Sequence, residues 1–150
     1  MNPLLFFGLK ANSISMSESV AHIKDRIKSG DFTQHCVINV AKVVNAQSDL
    51  ELKESVNSCH IVNIDGMGVV LGARFLGHSV PERVAGVDLF HELLEMSAAN
   101  QVSVFLLGAK DEVVSTAARK VKELYPSLEV AGYHHGYFWD DEAALVEKIR

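Results

Sequence analysis

His60-Ile61-Val62-Asn63-Ile64-Asp65-Gly66-Met67-Gly68-Val69-Val70 changes period at its midpoint. The first half, His60 to Ile64, is a short, mostly apolar run that reads as a buried strand. From Gly66 to Leu76 the apolar positions Val69, Val70, Ala73 and Leu76 recur at helical spacing. A strand handing over to a helix is the repeating unit of an α/β fold, and the flanking sequence continues it. Upstream, Cys36 to Val40 reads as a strand. Two short helical patterns follow it, one on Val43, Val44 and Ala46, the other opened by an Asp49 cap and carrying Leu50, Leu52 and Val56. Further upstream, Leu4 to Leu9 reads as a first strand. Ser15 and Glu18 have capping-box spacing and open a helix with Val20, Ile23 and Ile27 on one face, ended by Gly30. Downstream, Gly77 to Val84 reads as a loop and Val87 to Ala99 as a helix with Phe90, Leu93, Leu94 and Ala98 inward. Val102 to Leu107 reads as a buried parallel strand, Lys110 to Leu124 as a helix stopped by Pro126, and Leu128 to Ala131 as a strand. The expectation is an α/β domain with a Rossmann-like, mainly parallel sheet flanked by helices.

A chain of 150 residues is expected to form one domain with a real core. Its apolar fraction of 48% and charged fraction of 22% are those of a globular protein. A net charge of −5 argues against a general nucleic-acid binder and against charge-driven attachment to an anionic membrane. Cys36 and Cys59 are too few for a disulfide scaffold and read as reduced core thiols of a cytoplasmic protein. Leu4 to Leu9 is too short to span a bilayer and lacks the flanks of a signal peptide. Asp140 to Arg150 reads as an amphipathic helix with acids in its first turn and no stop signal, so the fold is expected to be truncated at its C-terminus.

In open parallel sheets, ligands sit beyond the carboxyl ends of the strands. Asn39, Asp65, Gly108-Ala109-Lys110 and His134-His135-Gly136 all follow strand ends. Gly66-x-Gly68-x-x-x-Gly72 nearly matches a dinucleotide fingerprint, but Asp88 falls at a helix start, where a ribose ligand should close the next strand. Asp65 fits either a helix N-cap or a general base that takes a proton from a sugar hydroxyl. Arg83 fits a surface ion pair or a diphosphate clamp, since guanidinium forks match phosphate oxygens. Gly86 would leave backbone N–H groups free beside it. Gly108 and Lys110 fit a phosphate-holding turn or a plain strand-to-helix turn, and Asp111 and Glu112 oppose an anion there. His134 and His135 are adjacent, so their side chains should diverge, and no acid or cysteine completes a metal-site spacing. Tyr133, Tyr137, Phe138 and Trp139 fit a wall for a base or sugar, or simple packing.

One ordered set joins these pieces: Asn39, Asn63 to Val70, Glu82 to Leu89, Phe105 to Lys110, Tyr125-Pro126 and Gly136-Tyr137-Phe138. It resembles the WecG/TagA/CpsF glycosyltransferases of bacterial surface-polysaccharide synthesis, over nearly the whole chain. The resemblance implies inverting transfer from a UDP-sugar donor to a polyprenyl-diphosphate-linked acceptor; no cofactor or metal is expected. The sugar implied is N-acetylmannosamine. It implies Asp65 as the base and Arg83 as a phosphate contact. Asn39, Gly66, Gly86, Asp88, Gly108, Lys110, Gly136 and Tyr137 are the further substrate-binding positions. The alternative is a non-catalytic nucleotide- or sugar-binding module of the same fold. Many members carry threonine two residues before the motif asparagine, where this chain has Val37. The family's second half, with a Gly-Ser-Pro-Lys-Gln-Glu-like motif and a basic membrane-contacting tail, is expected to lie beyond this sequence. These residues alone are therefore expected to be inactive or weakly active, and an apolar face left uncovered to self-associate into homo-oligomers. The full-length protein is expected in the cytoplasm, peripheral to the inner face of the membrane.

Overall fold

The computed structural model describes residues 3–140 and 142–149. The chain folds as two compact units, one up to Glu92 and one from Leu93 on.

The first unit opens with a hairpin, β1 (Leu4–Phe6) antiparallel to β2 (Leu9–Ala11), where a single strand was expected. Phe7 and Gly8 both have positive φ, 49° and 79°, which is the two-residue turn that matches the twist of paired strands. Asn57 braces the hairpin, accepting from Lys10 N–H at 2.8 Å and donating to the Gly8 carbonyl at 3.0 Å. Helix α1 (Met16–Ser29) has the expected capping box. Ser15 N–H donates to Glu18 Oε2 at 2.7 Å, which holds the Glu18 carboxyl below its ordinary range. Gly30 closes the helix in the left-handed region at φ 74°. The buried residues of α1 are Ser19 and Ile23; Ile27, expected inward, is exposed.

β3 (His35–Ile38) runs parallel to β4 (Ile61–Ile64), joined by α2 (Val40–Asn45) and α3 (Leu50–Ser58). Asp49 caps α3 through Leu52 N–H at 2.9 Å, as its position predicts. β4 is buried at every residue. Asn12 extends the hairpin onto it, exchanging backbone and side-chain hydrogen bonds with Val62 at 2.7 Å each. α4 (Met67–Phe75) follows and buries Val69, Val70 and Ala73. The core joins Leu9, Ile38, Val43, Val56, Val62 and Ile64. Cys36 and Cys59 are free thiols packed into it. Burial pushes the Cys36 thiol up to about 12, and the neighbouring Cys59 adds to the rise, which disfavours the thiolate that a nucleophile needs.

Helix α5 (Gly86–Asn100) contains the division between the units. In the second unit, β5 (Val104–Leu107) is parallel to β6 (Val130–His134), and α6 (Asp111–Leu124) connects them. α6 buries Val114, Ala118 and Val121, whereas Val113 and Leu124 are exposed. β6 starts two residues later than its apolar pattern predicts, and Leu128 enters the core ahead of it. α7 (Glu142–Ile149) buries Leu145; the expected helix also took in Asp141 and Arg150, which lie outside the described residues. The architecture is α/β, with parallel pairs flanked by helices and an added antiparallel hairpin. Each sheet among the described residues has two strands, where one Rossmann-like, mainly parallel sheet was expected.

Candidate active site

The parallel register pairs Ile38 with Ile64, so the next residues, Asn39 and Asp65, leave adjacent strands together at their carboxyl ends. Asp65 N–H donates to the Ile38 carbonyl at 2.8 Å, continuing the ladder one step. Asn39 caps α2, its Oδ1 accepting from Lys42 N–H at 3.0 Å, which leaves its Nδ2 for other use.

Asp65 does not cap α4. The capping position is Gly66, and no side chain bonds there. Gly66 has φ 115° and ψ 127°, a conformation essentially reserved for glycine, and this turns the chain into the helix. An ideal Cβ at Gly66 would sit 3.7 Å from Asn39 Cβ, so the requirement is backbone conformation and not space. Gly66→Ala is therefore expected to cost about 1–3 kcal/mol. Chemical denaturation checks this, and an unchanged midpoint would contradict it.

The Asp65 carboxylate reaches instead toward the start of α5. Its Oδ2 accepts from Gly86 N–H at 3.3 Å and its Oδ1 lies 3.5 Å from Arg83 Nη1. Arg83 Nη2 is 3.6 Å from Asp88 Oδ2, in the first turn of α5. The Arg83 side chain is 42% exposed and that of Asp65 26%, so the group is open to a ligand. Both ion pairs are longer than the roughly 2.7–2.9 Å of a tight charge-assisted bond, which leaves the guanidinium free to turn toward an anion.

The segment carrying Arg83 is held from several sides. Val84 N–H donates to the Ile64 carbonyl at 2.8 Å, and Val80 and Val84 are buried. Arg74, at the end of α4, places Nε and Nη2 on the Val80 carbonyl at 3.0 and 2.7 Å and a third bond on the Pro81 carbonyl at 3.1 Å. Glu82 accepts from Met16 N–H at 2.7 Å. Arg74 is thus a positioning residue that sequence reasoning passed over; a basic residue in a last helical turn carries no motif. A second omission is the network beneath β4. Asn63 bonds His35 Nε2 and Ser19 Oγ, each at 2.8 Å, and Ser19 Oγ donates to the Ser15 carbonyl at 2.7 Å. An asparagine inside an apolar strand was its signal. Burial lowers the His35 pKa.

Val37, the position where the threonine was expected, lies against the site: a Cβ at Gly86 would meet Val37 Cγ2 at 3.5 Å. The dinucleotide reading loses further ground, because Gly68 and Gly72 fall inside α4 and Asp88 begins α5.

In the second unit, Gly108 and Gly136 are brought together. Gly108 N–H donates to the His134 carbonyl at 3.0 Å and Gly136 N–H to the Ala109 carbonyl at 2.9 Å. A Cβ at Gly136 would lie 3.2 Å from Gly108 Cα, so glycine sets this close approach. Lys110 occupies the capping position of α6 and is exposed. Tyr137 is exposed and donates its N–H to His135 Nδ1 at 3.2 Å. The His134 and His135 rings do not diverge; their centroids are 4.2 Å apart, because His134 Nδ1 bonds the His135 backbone oxygen at 2.9 Å. Phe138 and Trp139 stack at 5.6 Å, and Tyr133, Tyr137 and Trp139 are exposed, which is not core packing. Among the described residues, no group of three or more His, Cys, Asp or Glu is placed to hold a metal, and no helix is long and apolar enough to cross a membrane.

Comparison with known proteins follows the same lines. The chain is 34% identical over 95 residues to an N-acetylglucosaminyldiphosphoundecaprenol N-acetyl-beta-D-mannosaminyltransferase of Bacillus subtilis (strain 168), covering 63% of this chain and 37% of that protein. It is 28% identical over 145 residues to the protein of the same name in Staphylococcus aureus (strain NCTC 8325 / PS 47), covering 95% of this chain and 57% of that one. The chain thus spans about half the length of the second relative and less of the first. The sequence model of the glycosyl transferase WecG/TagA/CpsF family matches residues 4–150, so the chain belongs to that family.

Proposed function

We propose that this chain carries the base and part of the donor site of an inverting glycosyltransferase. In this reading it moves N-acetylmannosamine from its UDP derivative to a polyprenyl-diphosphate-linked acceptor, in bacterial surface-polysaccharide or teichoic acid synthesis. The observation that carries the reading is the Asp65 carboxylate at a strand end, held by Gly86 N–H and facing a half-exposed Arg83. The acceptor hydroxyl oxygen attacks the anomeric carbon and forms the new C–O bond. The bond from that carbon to the diphosphate oxygen breaks with its electron pair, and UDP leaves. Asp65 takes the hydroxyl proton, and Arg83 turns from its two carboxylates to the departing diphosphate. Asn39, Gly66 and Asp88 border this space. Gly108, Lys110, Gly136 and Tyr137 contribute further substrate contacts.

We read the parallel α/β architecture as Rossmann-like and the whole as one catalytic domain. The protein works in the cytoplasm at the inner face of the membrane, where its lipid-linked acceptor resides. The test is transfer from UDP-N-acetylmannosamine to a polyprenyl-diphosphate-linked N-acetylglucosamine, using protein from the complete reading frame and mass-spectrometric detection. A product one sugar larger supports the reading. Saturable UDP-sugar binding with no transfer from any donor overturns it in favour of a non-catalytic binding module.

A further inference from the structure

We infer that Asp88 is a positioning residue: it holds one end of the Arg83 guanidinium so that Arg83 does not close over the base. The inference rests on the roles proposed above for Asp65 and Arg83.

The two terminal nitrogens of Arg83 serve different carboxylates. Nη1 is 3.5 Å from Asp65 Oδ1, and Nη2 is 3.6 Å from Asp88 Oδ2. A guanidinium fork matches a single carboxylate with two parallel bonds of about 2.7–2.9 Å. Here the fork is divided, and the near-equal distances leave it balanced between two acids, closed on neither.

Both acids are fixed without help from Arg83. Asp65 leaves β4 with its N–H on the Ile38 carbonyl at 2.8 Å, and its Oδ2 accepts from Gly86 N–H at 3.3 Å. Asp88 lies in the first turn of α5, where the helix dipole favours an acid whether or not a cation is near. The backbone beside Arg83 is pinned as well, by Val84 N–H on the Ile64 carbonyl at 2.8 Å. The group left to move is the Arg83 side chain. Without Asp88, the carboxylate that remains against it is Asp65, and the fork closes there.

A closed pair would occupy the oxygens that take the acceptor's proton. The guanidinium would also have to be pulled away before meeting the departing diphosphate. Both costs fall on the chemical step and not on donor binding, so they lower kcat and spare KM. A direct contact from Asp88 to the substrate would instead act on binding. Charge opposes such a contact with the phosphates, because two carboxylates on one guanidinium already leave the group net negative.

The test is a double-mutant cycle in sugar transfer, on protein from the complete reading frame, joined to a crystal structure of the variant. Asp88→Ala is expected to lower kcat about five- to tenfold and to leave the KM for the UDP-sugar within about twofold. In an Arg83→Gln background the same change is expected to cost nothing further, because Asp88 acts only through Arg83. Asp88→Glu, which keeps the charge, is expected to retain at least about half of kcat. The Asp88→Ala structure is expected to show the Arg83 fork on both Asp65 oxygens at about 2.7–2.9 Å. Should Asp88→Ala fold poorly, Asp88→Asn keeps the shape, loses the charge and carries the same expectations. A kcat loss that persists without Arg83, a rise in KM as large as the fall in kcat, or an Arg83 that turns to solvent overturns the inference. The closure of Arg83 on Asp65 is read without sugar transfer. An unmodified protein that transfers no sugar therefore removes the transferase reading while the positioning of Arg83 is still decided.

Discussion

Asp65→Asn is expected to lower the sugar-transfer kcat by about 10²–10⁴-fold, the usual contribution of a positioned general base. The amide keeps the shape of the carboxylate and can still accept from Gly86 N–H, now at 3.3 Å from Oδ2. What it loses is the ability to take the acceptor's proton. Folding should barely notice. The Arg83 pair is long, at 3.5 Å, and both groups are partly exposed, so its contribution is under about 1 kcal/mol. The measurement is therefore a pair: steady-state kinetics and a thermal melt on the same preparation. A large fall in kcat with the melting temperature within a few degrees and the KM for the UDP-sugar little changed assigns the base. Unchanged turnover removes Asp65 from that role. Equal losses of activity and stability would make it a structural link between the β4 end and α5.

The features legible in the sequence were those decided within one turn of chain. Ser15 with Glu18, Gly30 and Asp49 all cap as their spacing predicts, because each bond closes over three or four residues. The hairpin was missed because its turn contains Phe7, an aromatic residue held at φ 49°, where sequence patterns look for Asn or Asp before glycine. β6 slipped because its start is fixed by pairing with β5, and a bulge at Val104/Phe105 shifts that register. At the candidate site, Asp65, Arg83, Gly86 and Asp88 do gather as their order suggested. The partner of Asp65 was not legible: capping rules look a few residues ahead, and its backbone donor, Gly86, lies 21 residues on. Arg74, which fixes the Val80-Pro81 turn, leaves no local pattern.

Asn63→Leu tests the support beneath the site, and is expected to destabilise the protein by about 2–3 kcal/mol, lowering the melting temperature by roughly 4–12 °C. Asn63 is fully buried in a strand whose other residues are Ile61, Val62 and Ile64. Leucine has the same branched skeleton with two methyl groups in place of the amide oxygen and nitrogen, so none of the loss is cavity. The loss is polar: His35 Nε2 and Ser19 Oγ each lose a partner at 2.8 Å, and a buried group without a partner costs about 1–3 kcal/mol. Ser19 keeps its bond to the Ser15 carbonyl, which is why the figure stays below the sum for two orphaned groups. The same network predicts a pH trend. Burial depresses the His35 pKa, partly offset by the Asn63 bond and reinforced by Lys42, so the folded state holds the ring neutral. An unfolded histidine binds a proton as pH falls through about 6.5. The contribution is therefore complete above that pH and is lost as pH falls through the depressed folded value. Without the Asn63 bond that value drops further, and the variant's acid-induced loss should extend to lower pH than in the unmodified protein. Melting curves from pH 7.5 to 4.5 decide it: coincident curves for variant and parent would mean that the buried amide supports neither β4 nor the strand end from which Asp65 projects.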